Sequence, residues 1–141
     1  MQMSNELWHN FGSSETLYAI RFQQDGDVFI TSGASDETWG ATAHDADTYD
    51  VTMTETTVGS SGHYVGDFDA SGNIAAGTYR ITIYKQAGAS PADTDLAIAQ
   101  AEIYWNGTVE IDGKKLSDGL NMVHNEYDET KPQDETVLIE T

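Results

Sequence analysis

The stretch Gly77-Thr78-Tyr79-Arg80-Ile81-Thr82-Ile83-Tyr84-Lys85-Gln86 decides the fold class. Tyr79, Ile81 and Ile83 alternate with Thr78, Arg80 and Thr82. That period of two puts one side of an extended chain in a core and the other in water. Tyr49, Val51 and Met53 repeat the pattern against Asp50, Thr52 and Thr54. Working outward, residues 16–22 predict a strand with Tyr18, Ile20 and Phe22 on one face. Residues 63–68 predict another with Tyr64 and Phe68 inward, and residues 96–105 a third with Ala101, Ile103 and Trp105 inward. Residues 37–41, around Trp39, read as a short edge strand. Between these segments lie Gln24-Asp25-Gly26, Gly59-Ser60-Ser61-Gly62 and Asn106-Gly107, residue types that close tight turns. The expectation is an all-β chain, an antiparallel β-sandwich of 7–8 strands.

The alternation stops near Ile111, which suggests three parts. Residues 1–15 read as a leader anchored by Trp8 and Phe11, residues 16–111 as the sandwich, and residues 112–141 as an extended C-terminal arm. In the arm, Leu116, Leu120 and Val123 stand at helical spacing, so helix is expected only after Asp112. The acidic residues 126–135 then separate them from a terminal apolar cluster, Val137-Leu138-Ile139. Two apolar points on a polar tether suggest an assembly arm that orders against a neighbouring chain.

Net charge narrows the partners. The 141 residues carry 24 acids against 6 bases, a net charge of −18. Such a surface repels phosphate backbones and anionic membranes, so neither nucleic acid nor membrane is an expected partner. It favours cationic partners and divalent ions. Cysteine is absent, which excludes disulfides and thiolate metal sites. The first residues hold Glu6 and His9 and no apolar run, unlike a signal peptide, and no stretch has the apolar length of a membrane span.

Motifs that carry chemistry are sparse. Asp67, Asp69, Ser71 and Asn73, followed or interrupted by Gly72, place side-chain oxygens at alternate positions, as calcium loops do. The calcium pattern also wants Glu five residues after Asn73, where Thr78 stands, and a polar hairpin turn explains the residues as well. His44 with Asp45, Asp47 and Asp50 forms a second acidic cluster, and Asp93 and Asp95 a third, each also readable as a solvated loop. His9, His44, His63 and His124 lack the spacing of a helical zinc pair, and no nucleophile elbow or phosphate-cradling glycine loop occurs. The expectation is a protein that is not an enzyme and has no cofactor unless calcium fills the Asp67 loop. Trp39 is the one tryptophan left open as a ligand platform; aromatic residues otherwise serve as core anchors. Asn106-Gly107-Thr108 matches a glycosylation sequon that the turn alone explains.

Five segments together carry a resemblance: Leu17-Tyr18-Ala19, Gly62-His63-Tyr64-Val65-Gly66, Ala76-Gly77-Thr78-Tyr79-Arg80-Ile81-Thr82-Ile83, Tyr84-Lys85-Gln86-Ala87-Gly88, and Ile103-Tyr104-Trp105-Asn106-Gly107. The series resembles immunoglobulin-like β-sandwich proteins encoded among tailed-bacteriophage structural genes and related uncharacterised bacterial proteins. It covers about residues 16–111 and its motifs are structural. The resemblance implies an immunoglobulin-like sandwich and a virion structural role, such as capsid decoration or a head–tail accessory. Its partners would be other virion or surface proteins, in a homo-oligomer or a lattice. The alternative is an adhesion or carbohydrate-binding module, extracellular or at a cell surface, using Trp39 and loop carboxylates with calcium assistance.

Overall fold

The computed structural model describes residues 5–111. The expected arm residues Leu116, Leu120, Val123, Val137, Leu138 and Ile139 lie outside the described residues, as does the helix expected after Asp112.

The regular structure of the described body is almost all antiparallel strand. In chain order the strands are β1 (Leu7–Asn10), β2 (Leu17–Phe22), β3 (Val28–Phe29), β4 (Asp36–Glu37), β5 (Val51–Glu55), β6 (His63–Gly66), β7 (Gly77–Lys85) and β8 (Leu96–Trp105). One turn of helix, α1 (Ala46–Tyr49), precedes β5. β2 is the centre: β7 pairs along its whole length on one side, while β5 pairs with Leu17–Ala19 and β3 with Phe22. β5 also passes to a second neighbour, since Val51–Met53 pair with β2 and Thr54–Glu55 with β6. Through this shared strand, β1 and β6 continue the sheet as a second layer facing β2, β7 and β8.

The main core fills the space between the layers. Leu7 of β1, Met53 of β5 and Tyr64 of β6 meet Leu17 and Ala19 of β2, Tyr79, Ile81 and Ile83 of β7, and Ile103 and Trp105 of β8. The alternation expected for β7 is therefore present, with Tyr79, Ile81 and Ile83 buried and Arg80 exposed. Ala101 departs from expectation and stays exposed.

Four differences from the sequence reading have physical causes. Residues 7–10 are a paired strand with Leu7 4% exposed, so they are part of the sheet and not of a leader. Tyr18 and Ile20 are buried, but away from the main core. They join Val28, Ala46 and Tyr49 in a second cluster on the outer face of β2, while Leu17 and Ala19 face inward. A central strand covered on both sides reads as a continuous apolar run, which Leu17-Tyr18-Ala19-Ile20 is. Tyr49 ends α1 and is not on β5, because Asp45 caps the helix by accepting from the Asp47 N–H at 3.1 Å. This turn also corrects the expectation of helix only after Asp112. Finally, β4 is confined to Asp36–Glu37, and Trp39 lies beyond it.

Two charged side chains hold the body together from inside. Arg21 is 2% exposed and donates to three carbonyls: Phe68 at 2.6 Å, Ile30 at 2.7 Å and Thr31 at 3.0 Å. Burial lowers its pKa to about 10, against the charges of Asp69 and Asp50, so it remains a cation near neutral pH. Glu55, also buried, accepts from the N–H groups of Ser14, Gly59 and Gly62. The Gly59 N–H bond leads those that hold its carboxyl below the usual range, and burial opposes them.

Candidate functional site

The expected calcium loop closes on itself. Asp69 is 9% exposed, and its Oδ1 accepts from Ser71 Oγ at 2.8 Å and from the N–H groups of Gly72 and Asn73. Its Oδ2 accepts from the Ile74 N–H at 2.8 Å. Gly72, at φ +78, supplies the left-handed residue that the turn needs. Burial raises the Asp69 pKa, but these hydrogen bonds outweigh it and the net shift is downward. Asp67 lies elsewhere and accepts from the Asn5 N–H at 3.0 Å. The alternating oxygens thus serve a backbone turn: Asp69 and Ser71 are brought together, and Asp67 is not. Among the described residues no three His, Asp or Glu side chains gather as a metal-binding group.

The other acidic clusters are similarly committed. Asp45 caps α1, and Asp93 Oδ1 accepts from the Ala46 N–H at 2.8 Å. Asp95 accepts from Tyr18 Oη at 2.7 Å and from the N–H groups of Ala87 and Ala92, tying the β7–β8 loop to β2. Burial, then Asp95, pushes the Tyr18 pKa up. Asp50 is pushed up by burial and by the Asp47 charge, against a hydrogen bond from Thr31. His44 Nδ1 lies 2.5 Å from Glu37 Oε2, which also accepts from Tyr49 Oη. Trp39 is half-buried, with its ring centroid 4.7 Å from Tyr49 and 6.0 Å from Phe22, and its Nε1 donates to Asp93 at 3.4 Å. It lids the second cluster rather than standing clear as a platform.

Among the described residues, two sheet edges carry no further strand. Among the described residues β1 pairs with β6 alone; β8 pairs with β7, apart from one bridge between Trp105 and Glu110. A groove of about 290 Å³ lies between the two strands. Consecutive residues border it, Leu7-Trp8-His9 on one side and Ala101-Glu102-Ile103 on the other. Side chains alternate along a strand, so three successive residues share a border only where the strand turns its backbone edge to the groove. Hydrogen-bond parity agrees. The Phe11 N–H reaches Gly62 O on the β6 side, so the N–H groups of Trp8 and Asn10 point to the opposite edge. The Asn106 N–H reaches Val109 O, so alternation turns the Glu102 N–H toward that same outer edge of β8.

The floor of the groove is apolar, from Ile81 and Ile83, and Glu6, Glu102 and Glu110 border it, with Arg80 beside Glu102 at 3.9 Å. Ile81, Ala101 and Glu102 also border a wider cleft of about 650 Å³. Trp8 is 61% exposed beside this groove. Sequence reasoning missed the site because β1 is short; the alternation of Leu7, His9 and Phe11 with Trp8 and Asn10 was its only signal.

No protein-family model, no curated protein and no solved structure matches the chain. Among the described residues no helix is long and apolar enough to cross a membrane.

Proposed function

We propose that the protein is a non-enzymatic virion structural component, a capsid decoration or head–tail accessory protein, that works by assembling with other proteins. The observation that carries the assembly reading is the pair of edges, on β1 and β8, that take no further strand among the described residues and border an apolar groove. Unpaired edges are sites of strand addition, and a protein that has no use for them usually covers or blunts them. The commitment of Asp69, Asp45, Asp93 and Asp95 to backbone groups supports the non-enzymatic part: these carboxylates hold loops. The virion setting rests on the resemblance of residues 16–111 to tailed-bacteriophage sandwich proteins. Mass spectrometry of purified particles from the source of this chain tests the proposal. A stoichiometric copy number is the expected result, and absence of the chain from particles overturns it.

A further inference from the structure

Resting on the assembly reading, we infer that the groove between β1 and β8 accepts an extended segment of a partner protein in which apolar side chains alternate with Lys or Arg. The edges dictate an extended segment. The N–H of Trp8 faces the groove from one side, with that of Asn10 pointing the same way just beyond it, and that of Glu102 faces it from the other, so a strand laid between them finds main-chain partners on both flanks. The floor dictates the apolar half of the pattern. Ile81 and Ile83 lie two residues apart on β7, the repeat at which a strand presents side chains to one face.

The rim dictates the charge. Glu6, Glu102 and Glu110 border the groove, and residues 1–111 hold 16 acids against 3 bases. Those three bases are already engaged: Arg21 inside the body, Arg80 with Glu102 at 3.9 Å, and Lys85 with Glu15 at 3.6 Å. A second copy of this body therefore brings like charge to the rim, whereas a cationic strand is attracted to it.

Calorimetric titration of the full chain with capped seven-residue peptides tests the inference. The peptides are Lys-Val-Lys-Ile-Lys-Val-Lys, its Glu counterpart, and the Lys peptide with N-methylated backbone amides. The expected result is binding of the Lys peptide alone, weakened about tenfold or more by 0.5 M salt. Two variants locate it. Ala101→Trp, at an exposed position on the groove border, abolishes binding, and Glu102→Lys at the rim weakens it about tenfold by reversing a local charge; circular dichroism confirms that each is folded. Equal binding of the N-methylated peptide shows mere charge attraction and overturns the inference, as does binding undiminished by both variants. Failure of every peptide to bind also overturns it, as does dimerisation through the groove in their place. The two readings fail separately: a chain found in particles that ignores the peptides loses only the groove assignment, and one that binds them yet is absent from particles loses only the virion role.

Discussion

Arg21 donates from Nη1 to the carbonyl of Phe68 at 2.6 Å, reaching from the central strand to the loop that follows β6. The other end of the same guanidinium holds Ile30 and Thr31 after β3, so one side chain fastens both segments to β2. Arg21→Met is expected to cost about 3–5 kcal/mol, because it leaves the buried Phe68 carbonyl and the part-buried Ile30 and Thr31 carbonyls without their donor and Asp69 without its neighbouring cation. Urea denaturation of the two proteins measures this. A loss within about 0.5 kcal/mol, the usual range for a surface change, would contradict the role assigned to Arg21.

Ile81 and Thr82 are neighbours on β7 with opposite surroundings. Ile81 is 3% exposed in the main core, while Thr82 is half-buried on the other face. Ile81→Ala should cost about 2–5 kcal/mol and Thr82→Ala about 0.5 kcal/mol. Equal shifts in denaturation midpoint would contradict the face assignment.

Asp69 ties stability to acid pH. Its folded pKa is depressed, so its contribution is present above the unfolded value of about 3.9 and is lost as pH falls through the folded value. At pH 7, Asp69→Asn should be about 2 kcal/mol less stable than the natural chain, through loss of charge-assisted bonds to its own loop. That gap should close as the pH is lowered below about 4. Thermal melts of both proteins across this range check it, and a gap independent of pH contradicts it. Comparing the two removes the general relief of repulsion that protonation brings to a chain of net charge −18.

Monovalent salt should raise the melting midpoint. The body's three bases are all engaged, which leaves an excess of like charges that salt screens. A midpoint unchanged between low and high salt contradicts this, and melts with added chelator then test whether bound divalent ions already neutralise the surface.

Strands with one wet face were legible in the sequence, since Tyr79, Ile81 and Ile83 need only their own alternation to declare themselves. Where burial depends on partners distant in the chain, the pattern misleads. Tyr18 and Ile20 look like one face of a half-buried strand, but α1 and β3 cover that face and Leu17 and Ala19 take the inward side. Tyr49 belongs by alternation with Val51 and Met53; the Asp45 cap, a local signal, diverts it into a helical turn. Asp69 and Asn73 spell a cation loop in sequence, yet backbone N–H groups that no spacing rule shows reach the carboxylate first. The groove is least legible of all, because it lies between two strands, β1 and β8, that are distant in the chain and do not pair with each other.

Hydrogen–deuterium exchange at the amides of Trp8, Asn10 and Glu102, compared between the free protein and the particle it is proposed to join, tests the proposed assembly role of these edges most directly. Fast exchange in the free protein and strong protection after assembly are predicted, because an added strand would bond these N–H groups. Equal exchange in the two states would contradict strand addition at the β1 and β8 edges.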